Sequence, residues 1–205
     1  GTIGYMIASF FSGLIMRYLG IGMLLSISTA ATASSLYVFS NTKVWLIFVI
    51  FSFVCGISAG GIDSAINTYV AKHHSTSMMQ WLHASFGVGI TAGPIIMTIG
   101  ISVTSRWQSG YFFVSIFLVI LTLMFFVTKN IWENIKLSES KECIDDKEPS
   151  LIETLKKIEI QLSMLMFFLY AGVELGLGHW IYSLLTESRK ISPEFAGLMA
   201  SSYWA

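Results

Sequence analysis

The sequence predicts an all-α integral membrane protein, because its composition leaves too few charges to cover a soluble surface. Of the 205 residues, 54% are hydrophobic and only 12% are charged, whereas a soluble domain carries about 25% charged residues. The apolar runs are continuous and do not alternate at every second residue, which favours membrane-spanning helices over a β-barrel. Twelve basic and twelve acidic residues cancel, which argues against a nucleic-acid partner.

Seven nearly uncharged runs predict the helices. A helix needs about 20 apolar residues to cross a bilayer. The runs are 1–16, 18–39, 44–71, 81–104, 110–128, 160–185 and 195–205. The first run is slightly short and the last stops in mid-run at Ala205, so we expect a piece of a longer polytopic protein, with about six and a half membrane helices. Connections are expected at Arg17 and between the later runs.

Residues 129–159 have the composition of a water-exposed linker. They hold six lysines and eight acidic residues, and they separate the first five runs from the rest. We therefore expect a helical unit over 1–128, a linker over 129–159 and a second helical unit over 160–205. Within the linker, residues 151–160 carry apolar side chains at helical spacing, which fits either a helix lying on the membrane or a frayed helix in a solvated loop.

The lysines and arginines predict the orientation of the chain. Eight basic residues fall on one side, namely Arg17, Lys72 and the six linker lysines. Four fall on the other side, namely Lys43, Arg106, Arg189 and Lys190. By the positive-inside rule the linker is cytoplasmic, and the expected location is the plasma (cytoplasmic) membrane, where the bilayer surrounds the helices.

Asp63 and Glu174 are the two acidic residues deep inside apolar runs. A charge near the bilayer centre costs about 3 kcal/mol on insertion scales, so such residues face a cavity or a partner. At 100° per residue, Asp63 shares a helix face with Gly56, Gly60 and Asn67. Asp63 and Asn67 are suited to bind a polyhydroxylated solute together, and the Asp63 carboxylate is suited to take up and release a proton. The competing interpretation is an Asp–Asn pair that only fastens two helices.

The run after Asp63 begins with further polar residues. Gln80, His83 and Gly87 share one face, and Pro94 is expected to kink this helix. His83 is a candidate for binding solute or relaying protons, with a position at the membrane interface as the alternative. His73 and His74 have no nearby cysteine or acidic residue in the sequence, so we expect no metal site there.

Around Glu174, polar and small residues recur at one-turn spacing. Tyr170, Glu174 and Gly178 line up on one face. Aromatic rings beside hydrogen-bonding groups suit a sugar, because a ring covers C–H groups while the polar groups bind hydroxyls. For Trp180 and Tyr182 the favoured alternative is an aromatic belt at the membrane surface.

Three motifs carry a resemblance to a known family. They are GGIDSAINTY at 60–69, LHASFGVGITAGP at 82–94 and YAGVELGLGHW at 170–180. They resemble helices 4, 5 and 7 of the sugar-transporting branch of the major facilitator superfamily, which includes fucose:proton symporters and sodium-dependent glucose transporters. The resemblance implies a truncated superfamily bundle: helices 2 to 7 and the start of helix 8 out of twelve, with helix 1 missing.

The resemblance also implies roles for the two acidic residues. In this family helices 1, 4, 7 and 10 line the central cavity, so Asp63 on helix 4 and Glu174 on helix 7 border it. The symporters carry an acid at the position of Asp63 that couples proton movement to sugar. The family usually has Asp where this chain has Arg17, so we expect no charge-based gating latch at that loop.

These observations predict a secondary active transporter of a small polar solute, a sugar, driven by H⁺ or Na⁺ through alternating access. Asp63 is the expected coupling carboxylate, and Asn67, Gln80, His83 and Glu174 are the expected solute contacts. No metal or cofactor is expected, and enzyme motifs are missing from the sequence. The alternatives are proton-driven efflux of a hydrophobic compound, with Glu174 carrying the proton, and a seven-helix receptor-like protein.

Overall fold

The computed structural model describes residues 1–139 and 151–204, and every regular element within these ranges is helical. The helices are α1 (Thr2–Leu19), α2 (Ile21–Asn41), α3 (Trp45–His73), α4 (Thr76–Thr104), α5 (Gln108–Glu139), α6 (Leu151–Leu155), α7 (Ile158–Ser183) and α8 (Pro193–Trp204). A π-helical turn, Leu184–Ser188, follows α7. Each of the seven predicted runs is a helix, which confirms the all-α prediction.

Five of these helices are long and apolar enough to cross a membrane. They are α2, α3, α4, the part of α5 over Gln108–Trp132, and α7 with its π-helical turn over Ile158–Ser188. Large apolar side chains remain exposed along them; Phe168 on α7, for example, is 72% exposed. Contact with acyl chains explains such a surface, because an exposed apolar face is stable in lipid and costly in water.

The first turn lies at Gly20 rather than at the predicted Arg17. α1 continues through position 17 to Leu19, and Gly20 then adopts a φ of 72°. Glycine takes up positive φ without the steric cost that a Cβ brings, so the backbone turns there and α2 starts at once. The predicted break at Arg17 is therefore wrong, and the side chain of Arg17 lies outside the described part of the chain.

The predicted linker is partly helical. α5 runs on to Glu139, beyond the predicted start of the linker at 129, and the short helix α6 lies inside the same segment. Residues 140–150 lie outside the described ranges. The division into 1–128, 129–159 and 160–205 stays a prediction, but its first boundary does not coincide with the end of a helix.

The chain divides into two units, Gly1–Phe86 with Ile96–Ser140 and Gly87–Ile95 with Lys141–Ala205. In the first unit α2 packs against both α3 and α5, and α1 packs against α3. Small residues allow these close approaches. A Cβ added to Gly22 of α2, for example, would lie 2.6 Å from the Lys129 carbonyl oxygen of α5.

Three buried hydroxyls of α2 are satisfied within their own helix. Ser26, Thr29 and Ser35 are buried, and each donates a hydrogen bond of 2.7–2.8 Å to the carbonyl four residues earlier. Such residues are small and leave no unpaired polar group in an apolar setting. These three therefore need no polar partner on α3 or α5.

In the second unit, α8 packs against α7. The ring of Trp204 lies directly over Gly178, because a Cβ at that position would overlap the ring. The Tyr203 hydroxyl donates a hydrogen bond of 3.1 Å to the backbone carbonyl of Glu174. The end of α8 thus covers the face of α7 that carries Glu174 and Gly178.

Candidate functional site

Asp63 is half-buried on α3, and side-chain donors occupy both of its carboxylate oxygens. The Tyr5 hydroxyl of α1 lies 2.6 Å from Asp63 Oδ2, and Asn67 Nδ2 lies 2.9 Å from Asp63 Oδ1. A carboxylate oxygen has two acceptor positions. Each oxygen of Asp63 therefore keeps capacity for a cation or a solute hydroxyl beside the bond that it already makes.

Glycines on α3 bring Tyr5 within reach of Asp63. A Cβ added to Gly60 would lie 2.5 Å from the Tyr5 carbonyl oxygen, and a Cβ added to Gly56 would overlap the Gly1 carbonyl. Gly4 of α1 makes the reciprocal contact, since a Cβ there would overlap the carbonyl of Phe53. The backbones of α1 and α3 are in direct contact along this line, which we call the α1–α3 seam.

The structure brings Asp63 and Asn67 together at the predicted spacing of one turn, with the pairing internal to α3. Asn67 Nδ2 also donates a hydrogen bond of 2.9 Å to the Asp63 backbone carbonyl. The bond from Tyr5 joins α1 to α3 through Asp63, so the alternative in which the Asp–Asn pair fastens two helices stays open. The assignment of Asp63 and Asn67 to solute and cation binding stays a prediction.

Gln80 and His83 lie within the first eight residues of α4, and both side chains are exposed. The short connection predicted over 72–80 is shorter still, because α3 continues to His73 and α4 begins at Thr76. Among the described hydrogen bonds, none joins either side chain to Asp63 or Asn67. The structure therefore leaves both free to meet a ligand but does not group them with the carboxylate. α4 stays a single helix through Pro94.

Glu174 is half-buried on α7, and its carboxylate interacts with the Tyr170 hydroxyl one turn earlier. With Gly178 beneath Trp204, the predicted face of Tyr170, Glu174 and Gly178 exists as one stripe of α7. His179 turns away from this stripe, because its Nδ1 lies 2.8 Å from the carbonyl of Leu175 on its own helix. Asp63 and Glu174 belong to different units.

Aromatic rings surround the two histidines at the C-terminal end of α3. The Tyr69 ring lies 4.8 Å from the His73 ring, 5.6 Å from the His74 ring and 4.9 Å from the Trp132 ring of α5. Within the described ranges, no three residues of the types His, Cys, Asp and Glu come together to hold a metal ion.

Tyr5 is the site residue that the sequence analysis missed. It is separated from Asp63 by 58 positions, and no local periodicity connects residues on different helices. A usable signal was present in the small residues on both helices: Gly1 lies against Gly56, and Gly4 lies against the backbone of Phe53 and Ile57 on α3. Facing small residues indicate helices in close contact, but the register between them requires the structure.

Comparison with known proteins gives a family match and distant relatives. A family model described as Major Facilitator Superfamily matches residues 1–205. "Sodium-dependent glucose transporter 1" of Homo sapiens is 22% identical, over 99% of this chain and 45% of that protein. "Glucose/mannose transporter GlcP" of Bacillus subtilis is 24% identical, over 83% of this chain and 43% of that protein.

A further relative is "Bypass of stop codon protein 6" of Saccharomyces cerevisiae, 25% identical over 73% of this chain and 34% of that protein. The chain thus spans less than half the length of these curated relatives. No solved structure matches it significantly.

Proposed function

Because this chain belongs to the Major Facilitator Superfamily, we propose that the protein is a secondary active transporter that moves a sugar across the membrane together with H⁺ or Na⁺. The protein is an integral, multi-pass membrane protein of a transporter family and not an enzyme. The plasma membrane is the proposed location, and the solute and the coupling ion are the proposed partners.

The observation that carries the proposal is the Asp63 carboxylate, half-buried in the apolar helix α3 and held by Tyr5 and Asn67. An acidic side chain inside a membrane helix is costly unless it serves an ion or a polar solute. Two relatives from distant organisms bear the names of glucose transporters, and this supports a sugar as the solute.

In the proposed mechanism Asp63 binds the coupling cation, and Asn67, Gln80, His83 and Glu174 bind solute hydroxyls. Cation and sugar enter from one side, the two halves of the complete protein rock about the site, and both are released on the other side. The cation neutralises Asp63 before the site passes through its occluded form. This lowers the cost of enclosing a carboxylate away from water.

The family match favours this transporter over the receptor-like alternative. Efflux of a hydrophobic compound has less support, because no described observation assigns a proton to Glu174 and the named sugar-transporting relatives handle polar solutes.

The test is uptake of a panel of labelled sugars by the full-length protein in vesicles, with and without pH and Na⁺ gradients. Asp63→Asn keeps the shape of the side chain and removes its charge, so we expect loss of uphill accumulation with exchange of solute preserved. Glu194→Gln, at an exposed acid near the start of α8, is the matched control and should accumulate solute normally. Wild-type accumulation by Asp63→Asn would remove Asp63 from the coupling role.

A further inference from the structure

We propose that the Tyr5 hydroxyl is a two-position switch beside the coupling carboxylate: it donates to Asp63 when no cation is bound and turns to Ser9 when the cation arrives. The inference rests on the proposed coupling role of Asp63. It makes Tyr5 and Ser9 positioning residues, since both act through the carboxylate.

The first position of the switch is the observed one. The Tyr5 hydroxyl donates a short hydrogen bond of 2.6 Å to Asp63 Oδ2. Hydrogen bonds to an ionised group are stronger than those between neutral groups, so this contact stabilises the carboxylate in its charged form. A cation that binds Oδ2 meets an oxygen whose negative charge the Tyr5 hydrogen bond already partly compensates, so this bond weakens cation binding.

The second position is an unpaired acceptor next to the first. Ser9 lies one turn after Tyr5 on α1, and its Oγ is buried without a hydrogen-bond partner among the described residues. It lies beside the seam, 3.1 Å from the position of a Cβ on Gly60, and the Tyr5 carbonyl oxygen lies 2.5 Å from that same position. A buried hydroxyl without a partner is unusual in a folded protein, and an intermittent bond from Tyr5 accounts for it.

The backbone fixes the geometry that such a switch requires. Gly60 contacts the Tyr5 carbonyl, and Gly56 contacts the Gly1 carbonyl, so α1 cannot move along α3 without overlap. The Tyr5 side chain has to turn so that its oxygen comes within hydrogen-bond range of Ser9 Oγ. When H⁺ is the cation, the new proton sits on Asp63 Oδ2 and is donated to the Tyr5 oxygen, while Tyr5 keeps its own proton and donates it to Ser9 Oγ. No proton is lost or gained beyond the one transported.

The other titratable positions of the helices that pack around Asp63 are Arg17 and Tyr18 on α1, Tyr37 on α2, and Cys55, Tyr69, Lys72 and His73 on α3. α2 carries no charged residue. Among the described hydrogen bonds, the titratable residue that bonds to the Asp63 carboxylate is Tyr5. Asp63 and Tyr5 are therefore the titratable pair in direct contact at the seam.

The two variants Tyr5→Phe and Ser9→Ala have opposite expected effects. Tyr5→Phe removes the donor that competes with the cation, so half-maximal uptake should move to a pH about one unit higher, or to an about tenfold lower Na⁺ concentration. Ser9→Ala removes the acceptor used in the loaded state, so the cation dependence should move in the opposite direction. If one variant fails to fold, the shift in cation dependence measured for the other variant still tests the proposal.

The measurement is the initial rate of labelled-sugar uptake by the full-length protein in proteoliposomes, against external pH without Na⁺ and against Na⁺ at fixed pH. Matched controls are Tyr37→Phe on α2 and Ser12→Ala on α1, whose hydroxyl already donates to the Ser9 backbone carbonyl. Neither control should shift the cation dependence.

A change in maximal rate alone for Tyr5→Phe, or shifts of the same sign for the two variants, would overturn the switch. If Asp63→Asn abolishes accumulation in the same experiment, such a result removes the switch and leaves the proposed function standing. If Asp63→Asn accumulates sugar normally, both fail.

Discussion

The side-chain amide of Asn67 makes two hydrogen bonds to Asp63, one turn earlier on α3: Nδ2 lies 2.9 Å from Asp63 Oδ1 and 2.9 Å from the Asp63 backbone carbonyl oxygen. The amide group has two N–H donors and a carbonyl oxygen that accepts. Both donors are directed at Asp63, and the Asn67 carbonyl oxygen remains available to accept from a ligand. Asn67 thus holds the carboxylate in place and offers an acceptor beside it.

Asn67→Leu should lower the ratio of maximal uptake rate to half-saturating sugar concentration by about tenfold or more, because the half-buried Asp63 carboxylate loses a donor and the solute loses an acceptor. Saturation curves for labelled sugar by the full-length protein measure the effect. Asn41→Leu is the control, since the Asn41 amide bonds to the Tyr37 carbonyl and the Ser40 hydroxyl at the end of α2. Equal curves for both variants would remove Asn67 from the site.

Gly60→Ala should destabilise the first unit by about 1–3 kcal/mol, the usual cost of forcing an extra methyl group into a packed contact. The new Cβ would lie 2.5 Å from the Tyr5 carbonyl oxygen, which is backbone and cannot move aside. Thermal unfolding in detergent measures the loss. Gly13→Ala on α1 is the control, because a Cβ there meets nothing within 4 Å; a loss as large at Gly13 as at Gly60 would contradict a tight seam.

The contrast between Asn67 and Tyr5 explains what the sequence could predict. Asp63 and Asn67 share a helix, so a rotation of 100° per residue places them on one face without any tertiary information. Tyr5 reaches Asp63 only because glycines set the register between α1 and α3, and that register depends on contacts far apart in the chain. The family resemblance rested on motifs that each lie within one helix, so it needed no tertiary information either, and the family match confirmed it.

The boundaries of the helices show the limits of reading charge as a signal of helix ends. Arg17 suggested a break, yet the chain turns at Gly20, where a φ of 72° favours glycine. α5 likewise continues to Glu139 although its composition becomes polar after 128. Charge reports where a helix meets water, whereas the end of a helix depends on backbone conformation and capping.

Gly178→Ala should disturb the packing of α8 on α7, because the added Cβ would overlap the ring of Trp204. In a Trp204→Leu background the same change should cost little, since the ring is gone. The four proteins of this double-mutant cycle are compared by thermal unfolding in detergent, and we expect a coupling free energy of about 1 kcal/mol. Gly172→Ala, at an open position on α7, should show no coupling to Trp204.

The exposed positions of Gln80 and His83 give a direct test of solute contact. With Cys55 and Cys143 replaced by serine, single cysteines at positions 80 and 83 should react with a membrane-impermeant maleimide in inside-out vesicles, because both side chains are exposed near the start of α4 and the preceding Lys72 is predicted on the cytoplasmic side. The transported sugar should slow labelling at both positions.

Trp81→Cys is the matched control for that labelling experiment. Trp81 is 68% exposed, but it is rotated by about 100° from Gln80 on the same helix, so sugar should leave its labelling rate unchanged. Equal slowing at all three positions would indicate a general closure of the protein on the sugar. Unchanged rates at 80 and 83 would remove both residues from the solute site and leave Asp63 and Asn67 as its contacts in the first unit.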